Sequence, residues 1–120
     1  LKVSNDPIKL VAIDLDGTLY DSKSMISEAN RKALYKCMDN NVKVIITTAK
    51  TVYTVRNLIT ELGLKDPQIA SAGSAIIGSN LEIIYTRKIP VQPYIKAIKL
   101  ARKYEVGICT SCINGNVYVE

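Results

Sequence analysis

The 120-residue sequence has no apolar run approaching the ~18 residues that a membrane-spanning helix needs, and its opening, Leu1–Pro7, carries no apolar h-region of the signal-peptide kind. A soluble, cytoplasmic protein that makes no membrane contact is the expectation. Cysteine is scarce: Cys37, Cys109 and Cys112 form an odd set without secretory context, which excludes a disulfide framework and points to a reducing compartment. Cys109 and Cys112 have C-x-x-C spacing, but residues three apart in a strand face opposite sides and converge poorly on one metal, so they read as two small buried residues. Repeats and low-complexity stretches are absent. Aromatic residues make up 6% of the chain, and no aromatic platform accompanies the basic segment Arg87–Lys103, whose six cations stand without a single acid. That segment reads as a solvated helix face, or as a surface toward an anionic substrate, and no nucleic-acid partner is expected.

What is present fits one ordinary domain. At 48% hydrophobic and 22% charged residues with a net charge of +5, the chain is neither disordered nor fibrous, and a domain of its size buries about two-thirds of its unfolded surface. Ile8–Ile13 is a short apolar run that suits a strand buried on both faces of a parallel sheet. Ser27 caps a helix reaching about Asn40, with Ala33, Leu34, Cys37 and Met38 inward. Val42–Thr47 is a second β-branched run, followed by a helix from about Thr51 to the stop at Gly63. A third strand, Gln68–Ala72, continues the alternation, so the first half predicts a Rossmann-like parallel α/β sheet. The pattern then changes. Ala75–Ile77 and Leu81–Tyr85 flank Gly78-Ser79-Asn80 as an antiparallel hairpin. After Lys88-Ile89-Pro90 comes a helix with Val91, Tyr94, Ile95, Ile98 and Ala101 inward, then a second hairpin around Asn114-Gly115, predicted as a two-residue type I′ turn.

Asp14-Leu15-Asp16-Gly17-Thr18-Leu19 follows the first strand directly, at the carboxyl end where open α/β sheets bind ligands. With one residue between them the two acids can do different work, Asp14 as nucleophile and metal ligand and Asp16 as acid and base. An EF-hand loop is excluded, because Gly17 is fourth from Asp14 where sixth is needed and Met25 occupies the position of the bidentate Glu.

These six residues resemble the first motif of the haloacid dehalogenase-like superfamily of aspartate-nucleophile phosphatases, Asp-x-Asp-Gly-Thr-Leu or Val, and the resemblance covers essentially the whole chain. The family's second motif, a Thr or Ser ending the second strand, falls on Thr48. Its spacing of 34 residues from Asp14 resembles the Cof-type subgroup with a large α/β cap after the third strand. Thr48-Ala49-Lys50-Thr51 is similar to the Thr-Ser-Lys-Thr of mannosyl-3-phosphoglycerate phosphatases, while Ala72-Gly73-Ser74 replaces the family's Asn-Gly-Ala. The resemblance implies that Asp14 attacks phosphorus to form an aspartyl phosphate, and that Asp16 protonates the leaving oxygen and later activates water. It implies Mg²⁺ held by the Asp14 carboxylate and the Asp16 main-chain carbonyl. Phosphate oxygens would be bound by the Leu15 and Ala49 amides and the Thr48 hydroxyl, with Lys50 adding charge.

The family's third motif, a Lys after the cap, and its fourth, an acidic pair, have no counterpart here: no Asp occurs after Asp66, and the later acids are Glu82, Glu105 and Glu120. Residues 1–87 therefore read as the N-terminal part of the core domain and 88–120 as the start of a cap, in a chain that is the front half of a larger enzyme. Without its neighbours the first strand is an apolar edge, to be covered by the remainder of the same polypeptide or by a partner chain. The expected function is an Mg²⁺-dependent phosphatase of small phosphorylated metabolites, sugar phosphates or phospho-acids. The alternatives are a phosphomutase and a noncatalytic half that binds a partner through the open edge. A receiver-type phospho-acceptor is disfavoured, since Ala70, Ser71 and Ala72 stand where it needs another Asp.

Overall fold

In the computed structural model, residues 6–120 are described; residues 1–5, most of the segment read for a signal sequence, lie outside them. Two strands and two helices alternate first: β1 (Leu10–Ile13), α1 (Glu28–Asp39), β2 (Lys43–Ile46) and α2 (Val52–Leu62). β1 and β2 pair in parallel, Leu10 opposite Lys43 through Ile13 opposite Ile46. Each helix starts where a hydroxyl can satisfy an orphan amide: Ser27 Oγ accepts from Asn30 N–H at 3.1 Å, and Thr51 Oγ1 from Thr54 N–H at 3.4 Å. Gly63 ends α2 in the left-handed conformation at φ 65°, which costs a side-chain-bearing residue more than glycine. Val52, Val55, Leu58, Ile59 and Leu62 of α2 are buried, and they pack with Val44 and Ile46 of β2 in one apolar core.

β3 (Gln68–Ala70) lies beside β2 in the parallel sense through a bridge between Thr47 and Ile69. Gln68, fully buried, joins the strands with its side chain: Oε1 accepts from Ile46 N–H at 2.6 Å, and Nε2 donates to Val44 O at 3.2 Å and to Asp66 O at 2.7 Å. A side-chain amide thus stands in for main-chain ladder bonds, which keeps buried β2 groups satisfied. β4 (Ala75–Ile77) pairs antiparallel with β3 and with β5 (Ile83–Thr86). Then follow α3 (Val91–Lys103) and a separate antiparallel pair, β6 (Cys109–Ser111) with β7 (Val117–Val119). No helix among the described residues is long and apolar enough to cross a membrane.

Several expectations need correction. β1 is not buried on both faces: side chains alternate along a strand, and Leu10 and Ala12 share an exposed face while Val11 and Ile13 share a half-buried one. The third strand stops at Ala70, since Ser71 and Ala72 turn left-handed at φ 52° each and donate back to the β2–α2 loop. The strand expected from Leu81 begins at Ile83, because Leu81 closes the hairpin turn at φ 64°. The second hairpin turns through Ile113, Asn114 and Gly115. Cys112 O accepts from Gly115 N–H at 3.0 Å and Cys112 N–H donates to Asn116 O at 2.8 Å, with Gly115 at φ 92°, so the positive φ that a type I′ turn demands falls on Gly115 alone. Cys109 is exposed and Cys112 half-buried, and on α3 Tyr94, Ile98 and Ala101 are half-buried while Val91 and Ile95 are exposed.

Candidate functional site

Leu15, wholly buried, anchors the loop after β1 in the core, and the acids flanking it are exposed. The loop coils back on itself: Leu19 N–H donates to Asp14 O at 3.2 Å, and Thr18 and Tyr20 N–H to Leu15 O at 3.2 and 2.8 Å. Gly17 carries the turn at φ 73°, a conformation that strains any residue with a Cβ. Asp14 Oδ1 accepts from Leu15 N–H at 2.7 Å.

The end of β2 comes up alongside. Thr47 N–H donates to Ile13 O at 2.9 Å, extending the β1–β2 ladder to the rim, and Thr48 N–H donates to Ile69 O at 3.1 Å. Thr48 is buried, and its Oγ1 accepts from Lys50 N–H at 3.1 Å, leaving the hydroxyl proton available for donation. The loop is held from the other side as well, by Ser71 N–H on Lys50 O at 2.8 Å and Ala72 N–H on Thr48 O at 3.0 Å. The carboxyl ends of β1, β2 and β3 therefore meet, and the link between the first two is direct: Lys50 Nζ lies 3.1 Å from Asp16 Oδ1.

The six residues singled out from the sequence thus gather at the carboxyl ends of the parallel strands: Asp14, Leu15 and Asp16 on one loop, Thr48, Ala49 and Lys50 on the next. Sequence reasoning did not find Tyr20, whose half-buried ring lies 5.9 Å from Lys50 Nζ, nor the left-handed Ser71-Ala72 turn; neither carries a local signature. Burial pushes the Tyr20 phenol above its ordinary value of 10.0; the Lys50 ammonium opposes the rise, and the Glu61 and Asp16 carboxylates add to it. A cleft of about 890 Å³ runs from Ala49 and Ala72 to Tyr94, Thr110 and Tyr118, where the Tyr94 hydroxyl and Thr110 Oγ1 lie 3.1 Å apart. Of the six, Ala49 alone lines this cleft, and a second cavity, about 670 Å³, at the amino ends of the strands beside Lys43 and Asp66, holds none.

For a metal, the Asp14 carboxylate and the Asp16 carbonyl are hard oxygen donors of the kind Mg²⁺ takes. No cluster of three or more His, Cys, Asp or Glu able to hold an ion occurs among the described residues. Two hard oxygen donors suit Mg²⁺ in kind, and they would hold it only together with further oxygen ligands.

The family model for haloacid dehalogenase-like hydrolases matches residues 11–120. A 5-amino-6-(5-phospho-D-ribitylamino)uracil phosphatase of Bacillus subtilis, YcsE, is 37% identical over 108 residues, 89% of this chain and 43% of that protein. Among solved structures, a phosphatase of the haloalkanoate superfamily from Bacteroides thetaiotaomicron superposes with a TM-score of 0.80 at 27% identity, covering 93% of this chain and 41% of the other. A sugar phosphatase of subclass IIB gives 0.79 at 26%, covering 92% and 43%. The chain spans less than half the length of each of these relatives.

Proposed function

The chain belongs to the haloacid dehalogenase-like hydrolase family, and from that premise we propose that it carries the nucleophile and acid–base half of a phosphatase site acting on small phosphorylated metabolites. The observation that carries this is the meeting of Asp14 and Asp16 with Thr48 and Lys50 at the carboxyl rim, closed by the 3.1 Å Lys50–Asp16 pair.

In this reading an Asp14 carboxylate oxygen attacks phosphorus as the bond to the leaving oxygen breaks, and Asp16 gives that oxygen its proton. Asp16, now ionised, takes a proton from water, which attacks the aspartyl phosphate, releasing inorganic phosphate and the Asp14 carboxylate. The Leu15 N–H, now on Asp14 Oδ1 at 2.7 Å, transfers to a phosphate oxygen when substrate arrives. The Ala49 amide, the Thr48 hydroxyl and Lys50 meet the other oxygens, and fixed donors of this kind stabilise charge that builds in the transition state. Mg²⁺ would be held by the Asp14 carboxylate and the Asp16 carbonyl, and when bound it supplies charge that offsets carboxylate–phosphate repulsion.

Sugar phosphates or phospho-acids are the proposed substrates. Support comes from the relatives, named for a phosphoribityl compound and for sugar phosphates, and from the hydroxyl-bearing side chains of Tyr94, Thr110 and Tyr118 along the cleft. Residues 1–87 are proposed as the front of the core and 88–120 as the start of a cap, in a longer polypeptide whose remainder covers the open edge of β1. The test is release of inorganic phosphate by the complete protein from a panel of sugar phosphates and p-nitrophenyl phosphate, with and without EDTA. Metal-dependent release is expected; no release from any ester sinks the reading.

A further inference from the structure

Asp16 is poorly placed to orient itself: its side chain is 60% exposed, on a loop, and the ion pair it makes among the described residues is with Lys50. Lys50 is in turn a long flexible chain that needs a reason to keep one position. Its backbone is fixed at both ends of the peptide unit, N–H on Thr48 Oγ1 and C=O under Ser71 N–H. Its side chain is 29% exposed, and its ammonium lies 5.9 Å from the centroid of the Tyr20 ring, inside the range where a cation is attracted to the ring face. Tyr20 itself does not drift. Its N–H is bonded to Leu15 O at 2.8 Å, its backbone bridges Asp16 and Ile26, and its side chain packs against the apolar core.

We infer that Tyr20 is a positioning residue: its ring holds the Lys50 ammonium against Asp16, and the ammonium fixes the orientation of the acid–base carboxylate. The inference rests on the phosphatase reading, with Asp16 as the group that protonates the leaving oxygen. A misoriented acid hurts most where the leaving group needs its proton, so the signature is a dependence on leaving group rather than a uniform loss.

The experiment uses the complete protein and compares kcat for alkyl phosphates with kcat for aryl phosphates. Tyr20→Leu keeps the apolar bulk and removes the ring face; alkyl turnover should fall about 2- to 5-fold, the worth of an exposed cation–π contact, with a smaller change for aryl esters. Tyr20→Phe keeps the face and should match wild type. Lys50→Met also removes a contact to the phosphate, so it should slow both ester classes but alkyl esters more than aryl ones, and to that difference Tyr20→Leu adds nothing. Should Tyr20→Leu fail to fold, the pair Tyr20→Phe and Lys50→Met still decides: a loss in the first, or an equal loss on both ester classes in the second, overturns the inference. So does an undiminished effect of Tyr20→Leu in the Lys50→Met background. An NMR contact between the Lys50 ε-methylene and the Tyr20 ring is expected in the resting protein, and its absence overturns the inference without reference to turnover. A protein inert toward every ester overturns the phosphatase reading and this inference with it, whereas an active protein failing these comparisons overturns this inference alone.

Discussion

Replacing Gln68 by Leu tests the joint between β2 and β3, just below the loop that carries Thr48, Ala49 and Lys50. The side chain is 0% exposed, and its three hydrogen bonds reach Ile46 N–H, Val44 O and Asp66 O at 2.6, 3.2 and 2.7 Å. Leucine can accept and donate nothing, so the Ile46 amide is left buried without that acceptor while two carbonyls each lose a donor. An orphaned buried amide costs about 1–3 kcal/mol, and a carbonyl with a second lone pair somewhat less. The expected destabilisation is about 2–4 kcal/mol, a large share of the ~5–15 kcal/mol that holds a domain together. In urea the midpoint should drop by roughly 1–2 M at unchanged slope. Because Thr48 and Ile69 bond immediately beyond this joint, phosphatase activity should fall even where the variant stays folded. Gln68→Glu adds a sign test. Burial favours the protonated form, so the folded state holds a proton that the unfolded chain releases above ~4.3, and this variant should be least stable near neutral pH and recover as pH falls. A Gln68→Leu variant within about 0.5 kcal/mol of wild type would show that the three bonds do not hold β2 to β3, since that is the range of a surface change.

Asp16→Ala should slow turnover roughly 10²- to 10⁴-fold, with a smaller loss for good leaving groups; equal losses on aryl and alkyl phosphates would argue against the acid role. Thr51→Ala removes the α2 cap and should cost about 1 kcal/mol in thermal or urea unfolding, with Thr51→Gly milder. Residues 1–120 expressed alone should show no more than trace turnover and should aggregate or dimerise along β1, where Leu10 is 45% exposed; a fully active monomer by sedimentation and phosphate release would contradict this.

The loop after β1 was legible because its signal is local. Two acids separated by one residue after an apolar run, with Gly17 and Thr18 behind them, fix a loop at a strand end before any neighbour is known. Helix caps are equally local: Ser27, Thr51 and Gly63 terminate α1 and α2 where their side chains or lack of one dictate. Gln68 was not legible, because nothing about a Gln opening a strand says that its amide will satisfy β2. Tyr20 escaped for the same reason: its partner, Lys50, is brought beside it by the parallel pairing of β1 and β2. The turns misread at Leu81 and Ile113–Gly115 depend on which residue takes the positive φ, a choice settled by the register of the strands on either side. Helix α3 shows the converse. Its periodicity marks an apolar stripe, but Val91 and Ile95 are 68% and 39% exposed, since burial needs a surface that periodicity does not supply.

The most direct test of the proposed chemistry is turnover of a phosphate ester by Asp14→Asn in the complete protein with Mg²⁺ present. The amide is a poor nucleophile and a weaker ligand for a hard cation, while Leu15 still anchors the loop. The variant should fold and release no phosphate above background; turnover near that of the wild type would remove Asp14 from its role and the proposed mechanism with it.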